Sequence, residues 1–439
     1  TLDTEMQNHA EDAIFKNIEV YSERYGWIEK NNFAEELGDQ FFDQIVLNGP
    51  SIIFEAVDEA DNSESIFNKL VEIFESHKIP DRYLRALIAD VQKDQVTVLT
   101  ENYDKEILIW DDQYDWARKR LNNKKGPKPD NFFDLVRKGD LVTLSNSESN
   151  QRIIQIPPAE AAFVSMNPKN GHIKTYIGGT NFLKTKFDRV RQSFPQTGSS
   201  FKPFIYASAI SRGYDASSLI NDAPIIFEDE NLEDYWRPEN YTKKFYGLTR
   251  LREALVQSIN IVSIKLLRNI GVENVRNDLQ AFGFEKRRLP NDLSLALGSS
   301  SFSPIEMTRA FSILVNEGEV QEPVYITRVE DRNGNVIYEH QSFNDSGVED
   351  NINFPWINNE KNIKPIQLIN EVGSVEDFDA RSTYVVKDIL REAMQRGSNR
   401  RRIESISRND FGGKTGTTND SISTWFSGFH EDLVTTVWI

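Results

Sequence analysis

Three short motifs, widely separated along the 439-residue chain, contain residue types that perform acyl-transfer chemistry. A Ser-x-x-Lys tetrad occupies 199–202, a Ser-x-Asn triplet occupies 258–260, and a Lys-Thr-Gly-Thr run occupies 414–417. Each motif alone fits an ordinary role, such as a helix N-cap, a solvated helix lysine or a turn. Their occurrence together, in this order, predicts a catalytic site.

The first motif supplies a nucleophile and its base. Gly198 permits a tight turn into a helix whose first turn carries Ser199. Residues three apart lie on one helix face, so Lys202 is predicted to project beside the serine hydroxyl. A lysine takes that proton only if its pKa falls well below about 10.4. Burial and a second cation both lower a lysine pKa, and Lys414 is the candidate second cation.

The second motif supplies groups for proton transfer and orientation. Ser258 is predicted to relay the proton onward to a leaving amine. The side-chain amide of Asn260 has both donors and an acceptor, so it can hold Lys202 and the backbone of a substrate together.

The third motif predicts a strand edge that binds a carboxylate. Gly416 lets one backbone approach another closely. The ammonium of Lys414 and the hydroxyls of Thr415 and Thr417 can hold the carboxylate. The backbone N–H groups of Ser199 and Thr417 are predicted to form an oxyanion hole.

The elements around these motifs indicate a mixed α and β domain from about residue 159 onward. A hairpin is predicted at Asn170-Gly171, and a second one at Asn333-Gly334. Apolar periodicity predicts helices over 253–270 and 304–316. Late strands are predicted at 411–416, 425–428 and 434–439.

The first third of the chain has a different pattern. Residues 1 to about 40 are helical in periodicity, with a helix that ends near residues 25–27. Short strands separated by polar turns are then predicted at 87–91, 96–99 and 107–110.

Bulk composition excludes several function classes. The formal net charge is −17, which repels phosphate backbones, so nucleic acid is not expected as a partner. The chain has no cysteine, which excludes disulfides and cysteine-ligated metal. Its five histidines are far apart and show no ligand spacing, so no metal site is predicted. No apolar run approaches the roughly 18 residues of a membrane span, and no signal peptide opens the chain.

The amino-acid sequence around the motifs resembles that of the class A penicillin-binding proteins over nearly the whole chain. All three motifs belong to the signature that this group shares with serine β-lactamases. Further matching segments are AAFVSMNP at 161–168, IGG at 177–179, DAPI at 222–225, PENY at 238–241, LREAL at 251–255, LALG at 295–298 and WFSG at 425–428.

The resemblance, which is to the Gram-negative 1a type, implies a serine D,D-transpeptidase that crosslinks peptidoglycan stem peptides ending in D-Ala-D-Ala. It implies that Ser199 is acylated, that Lys202 is its base and that β-lactams trap the acyl-enzyme. The implied second motif is Ser258 and Asn260, and the carboxylate-binding third motif is Lys414, Thr415, Gly416 and Thr417. No cofactor is implied for transpeptidation.

The resemblance also implies a domain organisation. Residues 1–40 are expected to be a helical linker after an absent glycosyltransferase domain, and 41–150 a linker with an OB-like insert. Residues 151–439 are expected to be the transpeptidase domain, an antiparallel sheet flanked by helices and truncated at its C-terminus. The physiological protein is expected to continue at both ends, with an N-terminal helix that anchors it at the periplasmic face of the bacterial inner membrane. An outer-membrane lipoprotein activator or other cell-wall synthesis proteins are the accessory partners that the family suggests.

Three alternatives stay open at this stage. A β-lactamase shares the motifs, but it needs a positioned base for a deacylating water, and the sequence identifies none. A D,D-carboxypeptidase also shares them, although the sequence that flanks the motifs favours a class A enzyme. A penicillin-sensing receptor or inactive scaffold would be expected to lack a catalytic residue, and none is missing.

Overall fold

The computed structural model describes residues 2–28, 30–49, 61–121, 124–145, 151–156, 159–226, 236–340, 377–397, 400, 408, 410–418 and 423–439. The chain divides into two compact units of mixed α and β structure. The larger unit comprises Thr1–Ala10, Ala161–Gly178 and Asp188–Ile439, and the smaller comprises Glu11–Glu160 and Gly179–Phe187. The boundaries at 40 and 150 stay predictions.

Helices and strands both occur throughout the described residues and are numbered in chain order. The helices are α1 (Thr4–Tyr25), α2 (Ala34–Leu37), α3 (Asp39–Asn48), α4 (Asp61–Ser76), α5 (Phe132–Leu135), α6 (Lys202–Ser211), α7 (Leu251–Val256), α8 (Asn260–Ile270), α9 (Val272–Asp278), α10 (Pro304–Val315) and α11 (Ala380–Arg396). The strands are β1 (Tyr83–Val91), β2 (Gln95–Thr100), β3 (Lys105–Ile109), β4 (Arg120–Leu121), β5 (Lys124–Lys125), β6 (Leu141–Ser145), β7 (Ile153–Ile154), β8 (Ala162–Met166), β9 (Ile173–Ile177), β10 (Leu219–Asp222), β11 (Gly247–Arg250), β12 (Arg328–Glu330), β13 (Val336–Glu339), β14 (Gly412–Thr417), β15 (Thr424–His430) and β16 (Leu433–Trp438).

The smaller unit is built on a five-stranded antiparallel sheet in the order β3-β2-β1-β6-β7. Its two faces bury different clusters, because successive side chains of a strand point to opposite sides. Ile88 packs with Trp27 and Phe132 on one face, and Leu87 packs with Phe42 and Ile45 of α3 on the other. The three short strands predicted from the sequence are confirmed as β1, β2 and β3.

The sheet of the larger unit has the order β14-β15-β16-β8-β9, with antiparallel pairing throughout. The predicted hairpin joins β8 to β9, and Gly171 in its turn has φ +71°. The third motif forms β14, which lies at the edge of the sheet, with Lys414 opposite Ser427 and Gly416 opposite Trp425. The fold class predicted from the sequence is confirmed.

The hydrophobic core of the larger unit lies among α6, α7, α8, α10 and α11. Fully buried phenylalanines fill its centre, with ring centroids 4.5 to 6.0 Å apart, and edge-to-face and tilted contacts are common among them. These rings belong to Phe201, Phe204, Phe282, Phe284, Phe302 and Phe311. Because Phe201 and Phe204 flank Lys202, this packing fixes the helix that carries the first motif.

The prediction of one continuous helix over 253–270 is wrong, because this segment forms two helices, α7 and α8. Ser258, which lies between them, has φ +57°. This left-handed conformation is uncommon for a residue with a side chain and persists only where the surroundings hold it. Apolar periodicity runs through the break unchanged, so it could not reveal the turn.

None of the helices within the described residues is long and apolar enough to cross a membrane.

Candidate active site

The first motif occupies the 3₁₀ turn Gly198–Phe201 and the first residue of α6. Gly198 has φ +54°, which favours glycine. Ser200 is fully buried, and its hydroxyl donates to the Thr197 carbonyl at 2.6 Å. Ser199 is half-buried, and its hydroxyl has no hydrogen-bond partner among the described residues. Ser199 is therefore the more accessible of the two serines.

Lys202 connects the first motif to the second. Its side chain is fully buried. The ammonium nitrogen donates to the Ser258 carbonyl at 2.7 Å, to the Ser258 hydroxyl at 3.3 Å and to Asn260 Oδ1 at 2.7 Å. The structure thus brings together the lysine of the first motif and both polar residues of the second.

The left-handed backbone at Ser258 makes this arrangement possible, because it turns both the carbonyl and the hydroxyl of that residue toward Lys202. Asn260, the first residue of α8, divides its amide between two partners. Its oxygen accepts from Lys202, and its nitrogen donates to the Glu239 carbonyl at 2.9 Å.

The two lysines have strongly shifted pKa values. Burial holds the pKa of Lys202 well below its usual value, and the charge of Lys414 lowers it further. Burial also lowers the pKa of Lys414 to about 7. The role of Lys414 as the second cation stays a prediction. A lysine with such a lowered pKa is able to accept a proton near neutral pH.

The edge strand β14 lies against the turn that carries Ser199, and two glycines permit this contact. A Cβ at Gly416 would lie 2.4 Å from the Thr197 carbonyl oxygen and 3.0 Å from the Ser200 nitrogen. A Cβ at Gly198 would lie 2.8 Å from the Thr417 carbonyl oxygen. Side chains at these positions would force the two backbones apart.

The remaining residues of the third motif lie along this contact. Lys414 is buried, and its ammonium donates to the Thr415 carbonyl at 2.9 Å. Thr415 is half-buried and Thr417 is exposed. The backbone of Thr417, at the end of β14, lies next to Gly198, the residue that precedes Ser199. The oxyanion hole and the carboxylate-binding role stay predictions.

Two buried residues of this region were missed by sequence reasoning. Asn240 accepts from the first backbone N–H of α8, behind the second motif, and the carboxylate of Asp222 accepts from Asn240. Both belong to segments that resemble the family, DAPI and PENY, but neither their spacing nor their residue type indicates a contact with Asn260. Among the described residues, no group of three or more histidine, aspartate or glutamate side chains could hold a metal ion.

We expect Lys414→Met to raise the stability of the protein at pH 6. Burial disfavours the charged lysine in the folded state, whereas the unfolded lysine stays protonated to about pH 10.4. The unfolded state therefore binds more protons between pH 7 and 10, and the stability of the natural protein rises with pH across that window. The gain from methionine is at most about 5 kcal/mol below pH 7, and it shrinks as the pH rises.

The measurement is urea unfolding of both proteins at pH 6, 8 and 10. Lys184→Met, at an exposed lysine, is the control and should change stability by less than about 0.5 kcal/mol at each pH. A methionine variant that is less stable than the natural protein at pH 6 would contradict the buried-charge interpretation of Lys414.

Comparison with known proteins gives the family. The family described as "Penicillin binding protein transpeptidase domain" matches residues 161–432, and "Penicillin-binding protein OB-like domain" matches residues 53–159. The chain therefore belongs to the penicillin-binding proteins and is a transpeptidase region of the class A, 1a type. The resemblance to an OB-like insert is confirmed.

Individual relatives agree with this assignment. Penicillin-binding protein 1A of Pseudomonas aeruginosa is 38% identical over 378 residues, which are 81% of this chain and 46% of that protein. The Vibrio cholerae protein of the same name is 30% identical, with 100% of this chain and 51% of that protein covered. The crystal structure of penicillin-binding protein 1A from Haemophilus influenzae superposes with a TM-score of 0.77 at 27% identity, and covers 100% of this chain and 61% of that one. The chain spans about half the length of the curated relatives it matches.

Proposed function

We propose that this chain is a serine D,D-transpeptidase that crosslinks peptidoglycan stem peptides through an acyl-enzyme on Ser199. The observation that carries the proposal is that Lys202 is fully buried and donates hydrogen bonds to Ser258 and Asn260. Lys202 lies three residues after Ser199, which is accessible. These contacts support a mechanism in which Ser199 is the nucleophile, Lys202 is a base of lowered pKa and Ser258 is the proton relay.

In the acylation step, Lys202 takes the hydroxyl proton while Ser199 Oγ attacks the carbonyl of the penultimate D-alanine. The backbone N–H groups of Ser199 and Thr417 stabilise the oxyanion that forms. The proton passes through Ser258 to the departing amine, and D-alanine leaves. The third motif orients the substrate by holding its terminal carboxylate against Lys414 and the neighbouring threonine hydroxyls.

In the second step, an amine of a neighbouring stem peptide attacks the ester carbonyl, the bond from the carbonyl carbon to Ser199 Oγ breaks, and the amine proton passes to Ser199 Oγ. The two steps exchange one amide for another and return the enzyme unchanged. They involve only proton and acyl transfer, so the proposal includes no cofactor. A β-lactam acylates the same serine, but its leaving group stays attached, and the acyl-enzyme persists.

The location and partners of the enzyme follow from the same proposal. Stem peptides of the cell wall lie outside the cytoplasmic membrane, so we propose that the chain works at the periplasmic face of the inner membrane. An outer-membrane lipoprotein activator or other cell-wall synthesis proteins are proposed as partners, with the OB-like domain as a scaffold or docking site for them.

The proposed function is tested with a chromogenic cephalosporin and with a peptide ending in D-Ala-D-Ala. We expect one stoichiometric acylation by the cephalosporin, with little turnover, and D-alanine release that yields a crosslinked peptide when an amine acceptor is present. Rapid, continuous cephalosporin hydrolysis would identify a β-lactamase instead. D-Alanine release without crosslinked product would indicate a carboxypeptidase, and acylation without any peptide reaction would indicate a sensor.

A further inference from the structure

A buried polar pair, Asp222 and Asn240, lies directly behind the second motif. Their side chains are only 1% and 4% exposed. Asn240 Nδ2 donates to both oxygens of the Asp222 carboxylate at 3.0 Å and to the Lys244 carbonyl at 2.8 Å. The backbone N–H of Tyr246 also donates to this carboxylate, at 2.9 Å. Together, these contacts fix which way the Asn240 amide faces.

With its nitrogen fixed in this way, Asn240 presents its oxygen to the start of helix α8. Asn240 Oδ1 accepts from the backbone N–H groups of Asn260 and Ile261 at 3.0 and 3.1 Å. The first N–H groups of a helix lack partners within the helix, and the residue in the N-cap position, Ile259, has no side-chain acceptor. Asn240 thus caps α8 from a segment about 20 residues earlier in the chain.

The same segment also holds the side chain of Asn260. The carbonyl that accepts from Asn260 Nδ2 belongs to Glu239, the neighbour of Asn240. With its nitrogen engaged there, Asn260 directs Oδ1 at the Lys202 ammonium, 2.7 Å away. One short loop therefore sets both the backbone and the side chain of Asn260.

We propose that Asn240, oriented by Asp222, is a positioning residue for acylation of Ser199. It acts by fixing the start of α8 and hence the place of Asn260 beside Lys202. The proposal rests on the proposed function, because it concerns the acylation step of that same site. A displacement of about 1 Å in a group that orients the reacting atoms is enough to slow a reaction by about 10²-fold.

The first test is Asn240→Ala, with the kinetics of acylation by a fluorescent penicillin measured over a range of drug concentrations. We expect the first-order acylation rate constant to fall by about 10- to 100-fold. The dissociation constant of the complex that precedes acylation should change by less than about threefold, because the Asn240 side chain is buried. A general loss of folded protein would lower the amount of protein that reacts, but it would not lower the rate constant while leaving the dissociation constant unchanged.

Two controls distinguish positioning from stability. Asn221→Ala changes the exposed neighbour of Asp222 and should acylate like the natural protein. Ser165→Ala removes a buried hydrogen bond of 2.5 Å to Thr175, between the two strands farthest from β14 in the sheet. It should lower the melting temperature without slowing acylation.

An exchange of the two side chains provides a rescue. Asp222→Asn should slow acylation, because the new amide nitrogen faces the Asn240 nitrogen, and relief of that clash turns the Asn240 oxygen away from α8. Asn240→Asp should also slow it, because two carboxylates then face each other. The double variant Asp222→Asn with Asn240→Asp restores an acceptor toward α8 and a donor between the pair. The Lys244 carbonyl then faces a carboxylate oxygen in place of the Asn240 nitrogen, so we expect the recovery to be partial. The double variant should acylate faster than either single variant and more slowly than the natural protein.

The outcomes separate this proposal from the proposed function. If the natural protein is not acylated on Ser199, the proposed function fails. If it is acylated, but folded Asn240→Ala reacts within about twofold of it, the positioning role is overturned. Should Asn240→Ala fail to fold, Asp222→Asn decides: slower acylation that the exchange partly restores supports the role, and acylation at the natural rate overturns it.

Discussion

Replacement of Ser199 by alanine is expected to abolish covalent labelling by penicillin, whereas Ser200→Ala is expected to retain it. The two serines are adjacent, but only the Ser199 hydroxyl is accessible and without a partner among the described residues. Ser200 is fully buried, and its hydroxyl donates to Thr197. We expect the acylation rate to fall by at least about 10⁴-fold in Ser199→Ala, as for other lost nucleophiles.

The measurement is the intact mass of each protein after incubation with penicillin, followed by peptide mapping of the adduct. One drug mass on the peptide that contains Ser199 is expected in the natural protein and in Ser200→Ala. An adduct that survives in Ser199→Ala, or that maps to Ser200, would show that the nucleophile has been assigned to the wrong residue. Thermal unfolding of both variants checks that labelling is lost without loss of the fold.

Much of the fold could be predicted because the signals were local. The Asn170-Gly171 pair indicated a turn, and the structure places it between β8 and β9, where Gly171 has φ +71°. The helix predicted over 304–316 is observed as Pro304–Val315, with a capping box formed by Ser303 and Glu306. Periodicity, turn residues and caps each depend on a few neighbouring residues, so one sequence is enough to reveal them.

The candidate site was partly predictable for a different reason. The residue types of the three motifs indicate acyl-transfer chemistry. A lysine base needs a neighbouring cation and hydrogen-bond partners, and this need indicated Lys414 and Asn260 as neighbours of Lys202. The conformation that joins them was not predictable. The left-handed turn at Ser258 depends on contacts with residues that are distant in sequence, and the apolar pattern around it is that of an ordinary helix.

Asp222 and Asn240 were missed for the same physical reason. A buried carboxylate and a buried amide stabilise each other only once Asp222 and Asn240 have come together beside the start of α8. Neither residue has a local signature, because an aspartate at a strand end and an asparagine in a loop are common on protein surfaces. Their burial is a property of the tertiary structure and appears only there.

Replacement of Lys202 by either methionine or arginine is expected to slow acylation by about 10²- to 10⁴-fold. Methionine preserves the length of the side chain but has no proton acceptor. Arginine preserves the charge, but it is not deprotonated in proteins, so it cannot act as the base. A role of Lys202 that is only electrostatic would leave Lys202→Arg substantially active, whereas a role as the base makes both variants slow.

The pH dependence of acylation is a second, independent test of Lys202 as the base. Burial and the charge of Lys414 lower the pKa of Lys202, so the fraction of neutral lysine, and with it the acylation rate, should rise with pH well below the usual lysine range. In Lys202→Met this rise should disappear, because the titrating base is absent. Lys265→Met is the matched control: this lysine lies on α8 and donates to the Asn221 and Ala223 carbonyls, and its loss should leave the pH profile unchanged. If Lys202→Met kept both the rate and the pH profile of the natural protein, the base would have to be another group.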